Sequence, residues 1–140
     1  QFIKKTTDLY RLWPRLAAIN LTKGAFFMGR GRMQNHRHLP AFILLDLAQQ
    51  SNYGNAIHSN LIRDIPEFQC DTAAVYRTLN QLEKIGAVVS RWDTAHPGAA
   101  RKIYNITDKG YEELAFWKND VESRIKKLTY FLRVYKTVKK

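Results

Sequence analysis

At 140 residues the chain suits a single domain, and with 45% hydrophobic residues it can bury a core, though a small one. Its 23 Lys and Arg against 12 Asp and Glu give a formal net charge of +11, which fits a polyanionic partner such as DNA, RNA or a membrane surface. No apolar run approaches the roughly 18–20 residues of a spanning helix, and no signal-peptide pattern opens the sequence, so a soluble cytoplasmic protein is expected.

Residues 1–39 form a basic arm, with Lys4, Lys5, Arg11, Arg15, Lys23, Arg30, Arg32 and Arg37 set against Asp8 alone. Leu9, Leu12, Leu16 and Ile19, with Trp13, have helical spacing, and Pro14 fits a first turn or a kink. Lys23-Gly24 and Gly29-Arg30-Gly31-Arg32 read as breaks. Two roles stand open for the arm. It is either a cationic strip able to lie on phosphates or in a minor groove, or a solubilising tail whose helix covers a dimer. Lys23-Gly24-Ala25 can be encoded by a purine-rich ribosome-binding sequence just upstream of Met28. Translation starting at Met28 is therefore an expectation, which peptides from upstream of Met28 in the endogenous protein would exclude.

A first core helix is expected from Pro40 to about Gln50, where a nearly continuous apolar run implies burial on several faces. Ser51-Asn52-Tyr53-Gly54 punctuates the chain. The next helix should run from about Asn55 to Asp64, with Ile57, Leu61 and Ile62 inward and His58 and Arg63 outside. Pro66 discourages helix at Ile65, so residues 65–70 form a turn.

The most informative stretch is Asp71 to Gly86. Asp71 is a good N-cap, because its carboxylate can accept from open backbone N–H groups two or three residues on, and Gly86 is a good C-terminal stop. Val75, Leu79, Leu82 and Ile85 form the apolar stripe of the helix between them. Thr72, Ala73, Tyr76, Arg77, Asn80, Gln81 and Lys84 are left outside. That acid-free face of small, hydroxyl, amide, aromatic and cationic groups can enter a DNA major groove. On periodicity alone it reads as a solvated helix face, since most amphipathic helices bind nothing.

Beyond Gly86 the period changes to two. Val88, Ser90 and Trp92 fall on one side of a strand, and Val89 and Arg91 on the other. A Pro97-Gly98 turn leads to a second strand, Arg101 to Ile106, with Lys102, Tyr104 and Ile106 on one face. A helix-turn-helix followed by such a hairpin is a winged helix. Arg91, Arg101 and Lys102 would stand where a DNA backbone passes the recognition helix. Arg101 or Lys102 singly could instead turn inward or pair with Asp93.

Thr107 is the expected N-cap of the last helix. Along it Leu114, Trp117, Val121, Ile125, Leu128, Leu132, Tyr135 and Val138 recur every three or four residues, a seam for a second helix. The fold class expected is mainly α with a small β-hairpin: a basic arm (1–39), a winged helix-turn-helix (40–106) and a long C-terminal dimerisation helix (107–140).

Three segments together resemble the PadR-type transcriptional regulators. The first is Phe42 to Ala48 followed by Asn52-Tyr53-Gly54-Asn55-Ala56-Ile57. The second is Val75-Tyr76-Arg77 with Leu79, Leu82-Glu83 and Gly86. The third comprises Ser90-Arg91-Trp92, Pro97-Gly98, Arg101-Lys102, Tyr104 and Thr107-Asp108-Lys109-Gly110. The likeness covers Pro40 to about Trp117. It implies a homodimer made by the last helix. Thr72, Ala73, Tyr76, Arg77, Asn80, Arg91, Arg101 and Lys102, from the outer helix face and the wing, are the residues expected on double-stranded DNA. Leu114, Trp117, Val121, Ile125, Leu128 and Leu132 would then join the two copies. Some members sense small apolar or aromatic compounds at that interface, which makes an effector beside Phe116 and Trp117 a second expectation. Ala74 departs from the family, which often has a hydroxyl residue there, and Ile103 replaces an aromatic. Val121 stands where multidrug-binding relatives carry a stacking tryptophan.

No catalytic or metal chemistry is expected. Cys70 is the single cysteine and lacks the spacing of a zinc site, and it is read as a small buried apolar residue. His36 and His38 lie two apart in a basic segment, and His58 and His96 are isolated in sequence. No phosphate-cradling glycine loop, nucleophile elbow or carboxylate pair is evident. No cofactor is implied. Two functional classes remain: a sequence-specific DNA-binding repressor, and a winged-helix module that binds nucleic acid or protein without sequence choice.

Overall fold

The computed structural model describes residues 37–138. The expected arm helix, the Gly29–Arg32 strip, His36 and Met28 lie outside the described residues.

Helix α1 (Leu39–Gln49) starts with Pro40 in its first turn, where a missing N–H costs nothing, and buries Leu39, Ala41, Ile43, Leu44 and Leu47. It is the central element of the core and packs against each of the other described helices. Its Asp46 accepts from Asn60 Nδ2 at 2.9 Å and Asn52 Nδ2 at 3.4 Å, tying the next two elements to it.

Those elements are β1 (Asn52–Tyr53) and α2 (Gly54–Asp64). In the sequence the short strand shows only as punctuation, because two residues carry no periodicity. Ile57 and Leu61, one turn apart, are buried. Ile62 is not inward as expected: it is 42% exposed, since it is rotated about 100° past Leu61. His58 is also not free on the outside, because its Nε2 lies 2.8 Å from the Cys70 carbonyl oxygen and secures the turn before the next helix. Phe68 anchors the middle of that turn, 6% exposed and edge-on to Phe42 at 5.6 Å.

Helix α3 (Thr72–Lys84) is capped by Asp71, whose carboxylate accepts from Ala74 N at 2.6 Å. Gly86, at φ +79, ends it. Ala87 N donates to Leu82 O at 2.9 Å and Gly86 N to Glu83 O at 3.0 Å, the paired bonds of a glycine-stopped helix. Ala74, Val75, Thr78, Leu79 and Leu82 face the core, while Ile85 at the C-cap is only half-buried.

Strands β2 (Val88–Asp93) and β3 (Arg101–Ile106) form the wing. Their register pairs Val88 with Ile106, Ser90 with Tyr104 and Trp92 with Lys102, the expected facing sets. The small sheet has three antiparallel strands, in the order β1-β3-β2, because Asn52 and Tyr53 pair with Tyr104 and Ile103. Tyr104 and Val88 bury one face of it. Glu83 accepts from Ser90 N at 3.2 Å and from the Ser90 hydroxyl, fixing the wing to α3.

Helix α4 (Asp108–Tyr135) is 28 residues long, about 42 Å. Thr107 caps it by accepting from Gly110 N at 3.1 Å, and its own hydroxyl donates to Gly86 O at 2.6 Å. Gly110, Glu113 and Trp117 are buried against the winged domain. From Ile125 onward every described residue is exposed. Among the described residues no helix is long and apolar enough to cross a membrane.

Candidate nucleic-acid interface

Helix α3 turns its apolar stripe to α1 and α2, which leaves its opposite side to solvent. Thr72, Ala73, Tyr76, Arg77 and Asn80 are all exposed there, as are Gln81 and Lys84. Ala74, the departure from the family pattern, is 3% exposed and belongs to the core rather than to this face. Arg77 is held only loosely, its Nη2 4.0 Å from Asp71 Oδ1, with two thirds of its side chain in solvent. A long cation on such a tether can swing to a base edge or a phosphate at little cost in lost contacts.

Tyr76 is more constrained. Its hydroxyl donates to Asn55 Oδ1 at 3.2 Å, and its ring lies over Gly54 at the start of α2. It therefore forms one wall of a groove of about 410 Å³ between α3 and the wing. Asn80 stands beside it. Trp92, Arg101 and Lys102 of the wing also line it, with Tyr53 and Tyr104.

Alternation along β3 puts Arg101 and Lys102 on opposite faces of the wing. Lys102 Nζ sits 5.5 Å from the centre of the Trp92 ring, and Arg101 Cζ sits 4.4 Å from the centre of the Tyr53 ring. Both contacts engage the ring face, and neither uses up the N–H donors of the cation. Arg91 is exposed on the face it shares with Arg101 and Tyr53. The wing thus carries three cations on two faces, next to an acid-free helix face.

The sequence reading missed Tyr53, Asn55 and Trp92 as parts of this surface. Trp92 is 62% exposed, yet the strand pattern alone offered it as an ordinary alternating residue. Asp93, whose carboxylate could have neutralised a wing cation, is engaged elsewhere. It accepts from the Tyr53 hydroxyl, from Ala95 N at 3.0 Å, and lies 3.0 Å from His96 Nδ1. The Tyr53 hydroxyl, the Ala95 amide and His96, in that order, pull the Asp93 carboxyl down to about 2.

The seam residues divide into two groups. Trp117 is 4% exposed in a single chain, edge-on to His38 at 5.9 Å and to Phe116 at 6.1 Å, so its surface is already covered by its own domain. Leu114 and Val121 are half-buried. Ile125, Leu128 and Leu132 stay exposed with Tyr135 and Val138, and Phe131 stacks on Tyr135 at 6.1 Å. Among the described residues no group of three His, Cys, Asp or Glu side chains is placed to hold a metal ion. Burial raises the pKa of the Cys70 thiol, the opposite of an activated thiolate.

The fold recurs in solved structures. A PadR-like transcriptional regulator from Bacillus cereus strain ATCC 14579 is 25% identical, with a TM-score of 0.59 over 68% of this chain and 91% of that chain. A transcriptional regulator from Clostridium thermocellum is 23% identical, with a TM-score of 0.61 over 67% of this chain and 92% of that one. A PadR family regulator from hypervirulent Clostridium difficile R20291 is 22% identical, with a TM-score of 0.61 over 68% of this chain and 98% of that one. At those last two identities the likeness is one of fold. No curated protein matches the chain. The family model described as the transcriptional regulator PadR-like family matches residues 43–116, more than half of the sequence and the whole winged unit apart from the start of α1. The chain belongs to the PadR-like family of transcriptional regulators.

Proposed function

We propose that the protein is a cytoplasmic, homodimeric repressor that reads a palindromic operator in double-stranded DNA. Helix 71–85 enters the major groove and the wing, 87–106, lies on the adjacent backbone. The observation that carries this reading is the solvent-facing side of α3, where Thr72, Ala73, Tyr76, Arg77 and Asn80 present donors, acceptors and a cation without an acid among them. The wing supports it with Arg91, Arg101 and Lys102. Neutralising phosphates with such cations releases counterions, which supplies affinity without sequence choice.

One recognition helix spans only a few base pairs, so specificity calls for two half-sites about 34 Å apart. Ile125, Leu128 and Leu132, exposed along one side of α4, offer an apolar surface to a second copy. Phe116, 37% exposed beside buried Trp117, gives a small apolar effector a ring to cover where that surface begins. Binding there would release the DNA by changing the spacing of the two reading heads.

Binding to genomic fragments in excess nonspecific competitor tests the reading. A complex that survives competitor, and that Tyr76→Ala or Arg77→Ala weakens by about 1–3 kcal/mol, is expected. Binding that competitor removes in full would instead favour a winged-helix module without sequence choice.

A further inference from the structure

Asp93 and Arg101 stand directly opposite each other at the outer end of the β2–β3 ladder. Opposite charges at such a pair ordinarily close on each other, and a guanidinium held by a carboxylate would be lost to a phosphate. Here they do not close. Asp93 is occupied by the Tyr53 hydroxyl, the Ala95 amide and His96. Arg101 lies instead on the Tyr53 ring, 4.4 Å from its centre, and among the described residues no acid stands within ion-pair distance of it.

Tyr53 reaches both partners because β1 joins the sheet beside β3. Its register partner is Ile103, which shares a face with Arg101 two residues away, and Arg91 and Asp93 lie on that same face of β2. The side chain therefore acts with two chemically distinct parts: the hydroxyl on the acid, the ring face under the cation. The acid remains a competitor for Arg101 at neutral pH, since its carboxyl sits at about 2. The hydroxyl remains a donor, since the hydrogen bond to Asp93 raises its pKa.

We propose that Tyr53 is a positioning residue for DNA binding: its hydroxyl diverts Asp93 from Arg101, and its ring holds the freed guanidinium outward for a backbone phosphate. This rests on the reading of the wing as a backbone-contacting surface. Without the hydroxyl, Asp93 captures Arg101 and one phosphate contact is lost.

The salt dependence of binding to a mixed-sequence DNA duplex, read by fluorescence anisotropy on the full chain, tests it. Arg101→Ala should lower the slope of log K against log salt by about 0.9, the value of one phosphate contact. Tyr53→Phe, which keeps the ring, should lower it equally, and adding Tyr53→Phe to Arg101→Ala should lower it no further. Asp93→Asn in the Tyr53→Phe background should restore the native slope, because an amide cannot hold the guanidinium as an ion pair. General damage to the wing would not be repaired by that second change. If Arg101→Ala leaves the slope unchanged, the backbone reading of Arg101 falls, and the proposal with it. If Arg101→Ala lowers the slope but Tyr53→Phe does not, or if Asp93→Asn fails to restore it, the proposal alone falls.

Discussion

A Cβ atom built on Gly54 would lie 2.6 Å from both Cε1 and Cζ of Tyr76. The first residue of α2 is thus fitted to an aromatic ring on the recognition helix, and the absent side chain is what lets the ring lie down. Tyr76 then reaches Asn55 with its hydroxyl. The backbone at Gly54 is not in the left-handed region, so alanine is permitted there by conformation and excluded only by the ring. Because the ring is partly exposed, it can move aside. Gly54→Ala should change stability by less than about 1 kcal/mol in a urea melt, the helical gain offsetting much of the lost ring contact. It should nevertheless weaken operator binding as much as Tyr76→Ala does. Native affinity in Gly54→Ala would mean that the placement of the ring is irrelevant to DNA.

Gly110 gives the contrasting case. A Cβ there would stand 2.1 Å from the Ala87 carbonyl oxygen and 2.5 Å from Ile106 Cγ1. The first of these is backbone at the entry to the wing and cannot swing away. Ala87 O also accepts from Thr107 N at 3.1 Å, so moving it disturbs the cap of α4. Gly110→Ala should cost about 1–3 kcal/mol in stability, as overpacking does, measured by the urea midpoint at constant slope. A native midpoint would show that the junction of wing and α4 is not tightly packed.

Much of the winged unit is legible in sequence because its signals are local. Asp71, Gly86 and Thr107 act within one turn of a helix, and the two-residue alternation of 88–92 and 101–106 fixes which side chains share a face. What escapes depends on residues brought together from afar. Tyr53 and Asp93 are 40 positions apart, and only the docking of a two-residue strand beside β3 makes them neighbours. The apolar pattern likewise continues unbroken from Leu114 to Val138, past the end of α4 at Tyr135. Nothing in that repeat tells that Trp117 is covered by the chain's own His38 while Ile125 is left to solvent. Ile62 lies about 100° round α2 from Leu61, just beyond the stripe set by Ile57 and Leu61, and only the packing of α2 decides that it is left outside.

Glu113 makes stability depend on pH. Burial raises its pKa, Lys109 offsets this in part, and Glu112 adds to it. A carboxyl with a raised folded value favours folding fully below its unfolded value, near 4.3, and that contribution is lost as pH rises through the folded value. Glu113→Gln removes the dependence by keeping the site neutral. Urea melts should therefore show the variant gaining on the native protein as pH rises from about 4 to about 7, with the two nearly equal at the acid end. A gain that is the same at every pH would assign the effect to packing rather than to the buried charge.

Helix α4 is covered by its own domain in its first half and exposed in its second, and two substitutions separate the halves. Trp117 is enclosed by its own domain, so Trp117→Ala should cost about 3–5 kcal/mol of fold stability whatever the oligomeric state. Ile125 and Leu128 are 57% and 63% exposed, so no core among the described residues depends on them. In a symmetric pairing through this face each would be buried against the other copy, and aspartate at both positions would place unpaired carboxylates in an apolar seam at several kcal/mol. The expected product of Ile125→Asp with Leu128→Asp is a folded monomer. Circular dichroism should retain most of the helical signal while sedimentation velocity moves from dimer to monomer, and operator binding should fall because each winged unit then reads one half-site alone. If the native protein sediments as a monomer at binding concentrations, or the double variant remains a dimer that binds normally, α4 is not the element that joins two copies.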